Sequence, residues 1–94
     1  RVQKARDIQT KRFRNSKITS NSEMGNKEIK KFCELDDNSL KLLSLAVVKM
    51  NLSARSYNRT IKLARTIADL EGVNKINSNH IAQALQYRPR NDNF

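Results

Sequence analysis

The sequence predicts an all-α protein, a small bundle of about four to five helices, and three observations support that prediction. The longest regular segment, residues 53–72, places apolar residues at helical spacing between a capping serine and a glycine. No segment alternates apolar and polar residues in the way that a half-buried strand does. Charged residues make up 30% of the 94 residues, with only two glycines and one proline, which is typical of helices joined by polar connections.

The first third of the chain predicts two helices separated by a loop. A helix over residues 1–14 would place its apolar residues roughly on one side, at Val2, Ala5, Ile8 or Gln9, and Phe13. Residues 15–24 are polar and rich in Asn and Ser, which predicts a flexible loop. A short helix over residues 26–33 follows, with inward positions at Ile29, Phe32 and Cys33.

A third helix is predicted over residues 37–50. Asp36 or Asp37 is expected to cap it, because a carboxylate accepts hydrogen bonds from the otherwise unpaired N–H groups of the first turn. Leu35, just before the cap, is placed to act as a hydrophobic staple. The inward positions of this helix are predicted at Leu40, Leu43, Val47 and Met50.

The fourth helix, residues 54–71, has a signal at each end. Ser53 is a good N-cap, and Gly72 can adopt the left-handed conformation that ends a helix. One broad arc of this helix is apolar and consists of Tyr57, Ile61, Leu63, Ala64, Ile67, Ala68 and Leu70. The other arc is polar, is predicted to be exposed, and consists of Arg55, Asn58, Arg59, Lys62, Arg65 and Asp69. Because Arg65 and Asp69 lie four residues apart, we expect a salt bridge between them.

The final helix is predicted over residues 79–88, with Ser78 as its cap. Pro89 cannot readily continue a helix, so residues 90–94 are expected to form a frayed tail. His80, in the first turn, is expected to be a surface or capping residue. The inward positions are predicted at Ile81, Ala84 and Leu85.

The composition argues against several kinds of site. The chain has one histidine and one cysteine, whereas a structural zinc site usually takes four such ligands, so no metal site is expected. Cys33 is expected to be a small buried hydrophobic residue rather than a nucleophile. A single cysteine fits a reducing cytoplasm, and no run approaches the ~20 apolar residues of a membrane span. We therefore expect a cytoplasmic protein with no membrane contact.

The net charge of +10 is concentrated near the N-terminus, since residues 1–31 carry ten Lys and Arg against three Asp and Glu. Such a charge is either a set of solvated helix faces or a surface for nucleic acid or another partner. The candidates for that surface are Arg6, Lys11, Arg12, Arg14, Arg59 and Lys62. Alternatively, residues 37–71 could form a stand-alone helical DNA-binding module, although its helices have large apolar faces and therefore few surface positions that could contact bases. A purely structural interaction domain is a third alternative.

Arg55 lies at the second position of the fourth helix, where the backbone already carries partial positive charge. A cation there is disfavoured by about 0.3–1 kcal/mol, whereas an anion is favoured. The helix start at Ser53 and Ala54, together with the Arg55 guanidinium, is therefore suited to binding a phosphate. The alternative is a solvated Arg55 paired with Asp36 or Asp37.

Several motifs of this chain, in this order, resemble the C-terminal domain of the magnesium-chelatase-related AAA+ ATPases, and most of all their ComM (YifB-like) branch. The resemblance covers nearly the whole chain, and one difference is Asn58, where many relatives are expected to have histidine. The motifs are Val2-Gln-Lys-Ala-Arg-Asp-Ile-Gln9, Cys33-Glu-Leu-Asp36, Leu52-Ser-Ala-Arg-Ser-Tyr-Asn-Arg59, Ala64-Arg-Thr-Ile-Ala-Asp-Leu70 and Ala84-Leu-Gln-Tyr-Arg88.

The resemblance implies a helical lid domain over residues 25–89, with residues 1–14 as the connection from an upstream ATPase core. Arg55 would be the sensor-2 arginine that contacts the γ-phosphate, with Ser53 and Ala54 beside it. The longer protein would bind ATP with Mg²⁺, assemble with neighbouring subunits into a hexameric ring and act on DNA in branch migration. A lid of a true magnesium chelatase subunit is the alternative within the same family.

The chain itself contains no Gly-x-x-x-x-Gly-Lys phosphate loop and no initiator methionine. We therefore expect a fragment that does not hydrolyse ATP by itself, cut from a protein that does.

Overall fold

A computed structural model of the chain describes residues 2–14 and 16–87. Within them, the regular elements are all helical apart from one isolated parallel bridge between Leu35 and Ile76. The helices are α1 (Val2–Arg12), a 3-10 helix (Asn21–Glu23), α2 (Asn26–Phe32), α3 (Asp37–Met50), α4 (Ala54–Glu71) and α5 (Ser78–Tyr87). The predicted all-α fold, a small helical bundle, is confirmed. Pro89 and the predicted tail over residues 90–94 lie outside the described residues.

The central helix is α4, which packs against α5, α1, α2 and the 3-10 helix. Its boundaries are the predicted ones. The Ser53 hydroxyl oxygen accepts a hydrogen bond from the N–H of Ser56 at 3.1 Å. At the other end, Gly72 adopts φ 75°, in the left-handed region that a glycine enters without steric cost, and its N–H donates to the carbonyl of Asp69 at 3.0 Å.

The start of α3 is also the predicted one. Asp36 is its cap, with a carboxylate oxygen 2.7 Å from the N–H of Ser39, and hydrogen bonds from Ser39 lower the pKa of Asp36. The predicted inward face is wrong at Leu40 and Met50, whose side chains are 44% and 43% exposed. The buried face of α3 consists of Ser39, Leu43 and Ala46. Leu40 is turned away from that face and Met50 is the last helical residue, so both reach solvent.

Residues 16–24, predicted to lie in a flexible loop, contain the 3-10 helix and two anchored side chains. Asn21 and Met24 are both buried. The segment therefore contains a short 3-10 helix and packs two of its side chains into the interior. The low periodicity of the sequence was not evidence against packing, because single side chains can be buried from a segment that has no repeating apolar face.

The last helix begins at Ser78, but its cap is Asn77 and not Ser78. The Asn77 side-chain oxygen accepts hydrogen bonds from the N–H groups of Asn79, at 2.9 Å, and His80, at 3.2 Å. In return, Nδ1 of His80 accepts a hydrogen bond from the N–H of Asn77 at 3.0 Å. Of the two predicted roles for His80, surface or capping residue, the structure shows the capping role: the side chain is 0% exposed, and its Nε2 lies 3.2 Å from the Glu71 carboxylate.

The core lies between α4 and the helices around it. Most of the apolar arc predicted for α4 is buried, and Ala5 and Phe13 anchor the N-terminal segment. The Phe13 ring meets Phe32 edge-on, with centroids 5.5 Å apart. Val2, predicted to lie on the same inward side of α1, is exposed. The buried apolar residues contributed by α4 and α5 are Ile61, Ala64, Ile67, Ala68, Ile81 and Ala84.

Candidate functional site

A groove of about 560 Å³ runs along the N-terminal half of α4. Arg55, at its start, is exposed, and the polar side chains that follow it along the helix are half-buried. None of the lining residues is acidic and three are cationic. The groove is lined by Ser22, Arg55, Asn58, Arg59, Lys62, Leu63 and Thr66.

Two hydrogen bonds hold the opposite wall of this groove against α4. The Lys62 ammonium donates to the carbonyl oxygen of Ser22 at 3.2 Å, and the Asn58 side-chain nitrogen donates to the Asn26 side-chain oxygen at 3.1 Å. Ser22 belongs to the 3-10 helix and Asn26 is the first residue of α2. The groove therefore depends on a segment that is more than 30 residues away from α4 in sequence.

The Arg55 guanidinium has no hydrogen bond or ion pair with any of residues 2–14 and 16–87. The alternative in which it pairs with Asp36 or Asp37 is therefore not seen in this part of the chain. Next to it, the N–H groups of Ala54 and Arg55 lie in the first turn of α4, where no intrahelical acceptor is available. An unpaired guanidinium thus stands beside two unpaired backbone donors.

Ser53 has a narrower role than the sequence suggests. Its hydroxyl accepts the hydrogen bond from the Ser56 N–H and donates to the Ser56 hydroxyl oxygen at 3.2 Å. The side chain is therefore engaged as a helix cap. The donors that remain for a ligand at this helix start are the backbone N–H groups of Ala54 and Arg55 and the guanidinium of Arg55.

The predicted salt bridge between Arg65 and Asp69 is confirmed at 3.1 Å, but its predicted exposure is wrong. The Arg65 side chain is 3% exposed and that of Asp69 is 0% exposed. Arg65 also donates to the carbonyl oxygens of Val73 and Asn74, each at 2.8 Å. Burial lowers the pKa of the Arg65 guanidinium, and the adjacent Asp69 carboxylate opposes that shift.

The guanidinium of Arg12, which was predicted as part of a ligand surface, is engaged in a hydrogen-bond network within the protein. Its guanidinium donates to both oxygens of the Asp69 carboxylate, each at 2.8 Å, and to the side-chain oxygen of Asn21 at 2.8 Å. Asn21 in turn donates to Asp69 at 2.8 Å and to the hydroxyl of Thr66 at 3.1 Å. This network joins α1 and the 3-10 helix to α4. The contact between Arg12 and Asp69 cannot be predicted from local sequence spacing, because the two residues lie 57 positions apart.

The other predicted basic residues do not line a single groove. Arg6 is exposed on α1, and Arg59 and Lys62 line the groove along α4. Lys11 and Arg14 line a second groove of about 480 Å³, between the end of α1 and α2. We call this second groove the basic groove and define it by Lys11, Arg14, Lys27 and Lys31. Lys27 and Lys31 were not among the predicted basic residues, although their spacing of four residues places both on one face of α2.

Cys33 is buried, as predicted, and its sulfur lies 3.9 Å from that of Met24. Burial raises the pKa of the Cys33 thiol to about 11. The thiol is therefore neutral at physiological pH, in keeping with a packing role. Among the described residues, no three His, Cys, Asp or Glu side chains are grouped as a metal ion would require.

We expect Cys33 in the folded protein to react with iodoacetamide at pH 7.5 at least about 100-fold more slowly than in the unfolded chain. The thiolate is the reactive form, and raising the pKa from 9.0 to about 11 reduces the thiolate fraction by about two orders of magnitude. The measurement is the alkylation rate with and without denaturant. Equal rates in the two states would contradict the burial of this residue.

Across residues 2–14 and 16–87, none of the helices has the length and apolar content that crossing a membrane would need.

The described residues form a small helical domain in which the start of α4 carries positive charge and is suited to binding an anion. The family model described as "Magnesium chelatase, subunit ChlI C-terminal" matches residues 1–88. The chain therefore belongs to this family of C-terminal domains, and the family suggested by the sequence motifs is confirmed.

The chain is also similar in sequence to three curated proteins. The competence protein ComM of Haemophilus influenzae is 43% identical over 88 residues, which are 94% of this chain and 16% of that protein. Two proteins called YifB are 37% identical over 68 residues (Salmonella typhimurium) and 35% identical over 88 residues (Escherichia coli). These matches cover 72% and 94% of this chain, and 13% and 17% of the YifB proteins. The chain thus spans about a sixth of the length of these relatives, and no solved structure gives a significant match.

Proposed function

We propose that this chain is the lid domain of an AAA+ ATPase of the ComM/YifB type, and that Arg55 is the residue with which the lid contacts the terminal phosphate of ATP. The observation that carries the proposal is the unpaired Arg55 guanidinium beside the free N–H groups at the start of α4. The family membership supports the same assignment.

The charge of the groove along α4 favours an anionic ligand. Arg55, Arg59 and Lys62 contribute three cations to it, and no carboxylate lies among its lining residues. A helix N-terminus adds partial positive charge, and an arginine fork binds phosphate oxygens in a directional way. A triphosphate meets these donors best with its terminal phosphate at the start of α4.

The rest of the nucleotide site must come from outside this chain. The sequence contains no Gly-x-x-x-x-Gly-Lys loop, which in such ATPases binds the phosphates and supports Mg²⁺. We therefore place ATP and Mg²⁺ in an upstream core of a longer cytoplasmic protein. In that protein this domain closes over the nucleotide, and its neighbours are subunits of a hexameric ring. In this proposal the domain reports nucleotide state and has no ATPase activity alone.

The isolated 94-residue chain is expected to bind ATP with a dissociation constant in the millimolar range or weaker. A charge-assisted hydrogen bond contributes about 1.5–3 kcal/mol, whereas a millimolar dissociation constant corresponds to about 4 kcal/mol. Titration calorimetry with ATP and Mg²⁺ measures this directly. A micromolar dissociation constant would contradict the lid assignment, because it would require a complete site within this chain.

The proposed substrate of the ring is DNA, and the proposed reaction is branch migration during the integration of incoming DNA. The relationship to a competence protein and the net charge of +10 support this choice. A true magnesium chelatase lid is the alternative within the family, and a stand-alone DNA-binding module is the alternative outside it. Sequence-discriminating DNA binding by this chain at about 150 mM salt would favour the stand-alone module.

The experiment that tests the lid assignment is the ATP hydrolysis rate of the longer protein carrying Arg55→Ala, measured beside the thermal stability of this domain.

A further inference from the structure

The basic groove concentrates four cations between two helices. Lys11 and Arg14 come from the C-terminal end of α1 and the turn after it, and Lys27 and Lys31 come from one face of α2. All four side chains are exposed. The groove lies apart from the groove along α4, and the two have no lining residue in common.

Within the described part of the chain, these four cationic side chains have no ion-pair partner. Arg12 also lines the groove, but its guanidinium is bound to Asp69. The one carboxylate in the lining is Glu28, and one of its oxygens already accepts the N–H of Gly25 at 2.9 Å. The basic groove therefore carries four unpaired cations against one carboxylate, and an anionic ligand would stabilise this excess of positive charge.

We propose that the basic groove binds the phosphate backbone of a nucleic acid and contacts about four phosphates. The proposal rests on the proposed function only in its choice of DNA as the natural ligand. The groove would give this domain a nucleic-acid contact of its own, separate from the nucleotide contact at Arg55.

The lining favours a nucleic acid over an acidic protein. Protein interfaces have an apolar centre, whereas Phe32 is the one apolar residue in this lining. The Phe32 ring is already covered, because Lys31 lies over it at 5.2 Å and Phe13 packs against it edge-on. A base cannot stack on a ring occupied in this way, so the groove recognises backbone charge and not base sequence.

The test is fluorescence anisotropy of a labelled 20-base-pair duplex with the 94-residue chain, between about 50 and 200 mM salt. Four phosphate contacts predict a slope of about −3.6 for the logarithm of the association constant against the logarithm of salt concentration, which is a loss of about 100-fold over this range. A second duplex of unrelated sequence is expected to bind within about threefold of the first, since no base is read.

Two double variants with the same change of charge separate the groove from the net charge. Lys27→Ala with Lys31→Ala removes half of the basic groove, and the slope is expected to fall to about −1.8, with at least tenfold weaker binding at low salt. Lys41→Ala with Lys49→Ala removes two exposed lysines of α3, outside the groove, and is expected to change affinity less than threefold. Circular dichroism and thermal melting verify that both variants are folded.

Three results would overturn the proposal. Equal losses in the two double variants would assign the binding to net charge alone. Competition by a 20-residue polyglutamate as effective as that by unlabelled duplex would identify an acidic protein as the better ligand. Strong preference for one duplex sequence would contradict backbone recognition. None of these results bears on the ATPase test at Arg55, which measures turnover and not DNA affinity, so the two proposals fail separately.

Discussion

Arg55→Ala in the longer protein is expected to reduce ATP turnover by about 100- to 1,000-fold. A donor aimed at the charge that develops on a transferring phosphoryl group acts where water is largely excluded, and removal of one such donor typically has this effect. Arg55 is suited to that role because its guanidinium is exposed and unpaired at the start of α4. The measurement is the steady-state ATPase rate at saturating ATP.

The same substitution is expected to leave the fold unchanged. No core contact is lost, and removing a cation from the N-terminal turn of α4 relieves an unfavourable interaction of about 0.3–1 kcal/mol. The melting temperature of the 94-residue chain carrying Arg55→Ala should therefore match or slightly exceed that of the unchanged chain. This pairing of lost turnover with retained stability is the signature that distinguishes a nucleotide contact from a structural residue.

Arg59→Ala and Lys62→Ala are the matched controls, because each removes one cation from the same groove, one and two turns further along α4. Their effects on turnover are expected to be at least tenfold smaller than that of Arg55→Ala, since they lie past the terminal phosphate. The sensor assignment is wrong if Arg55→Ala melts the domain by many degrees while the ATPase rate is retained.

Asp69→Ala is expected to lower the free energy of unfolding by about 3–5 kcal/mol. Asp69 is fully buried and receives hydrogen bonds from Arg12 and Asn21 and an ion pair from Arg65. Its removal leaves two guanidinium groups inside the protein without a counter-charge, and an uncompensated buried charge has a cost of this size. Because Asp69 joins α1 and the 3-10 helix to α4, the packing of the N-terminal segment should be lost with it.

For a domain of this size, such a change corresponds to a fall in melting temperature of roughly 15 °C or more. Asp69→Asn removes the charge with almost no change in volume and should lose most of the same stability, which separates the electrostatic effect from a cavity. Asp7→Ala, an exposed carboxylate on α1, is the control and is expected to change stability by less than about 0.5 kcal/mol. A loss below 1 kcal/mol for Asp69→Ala would show that the network contributes little.

The sequence by itself determined the all-α fold and the ends of α3 and α4. The predicted limits of α3 and α4 agree with the structure, and Asp36, Ser53 and Gly72 cap them as expected. Helix ends could be predicted because a cap is a local event: a side chain two or three residues away satisfies a backbone group, and the residues involved are neighbours in the sequence. Arg55 could be singled out for the same reason, since its position in the first turn follows from the cap.

Only the tertiary structure decided which polar residues are buried. Helical spacing places Arg65 and Asp69 on an exposed arc and predicts their ion pair, but it does not show that Arg12 joins the pair and that all three are held inside the protein. The sequence predicts His80 as a surface or capping residue, and it does cap α5, but only the structure shows that the side chain is buried beside Glu71. The burial of a polar side chain depends on a partner brought close by folding. The Arg12–Asp69 contact spans 57 residues, so no local pattern in the sequence could have predicted it.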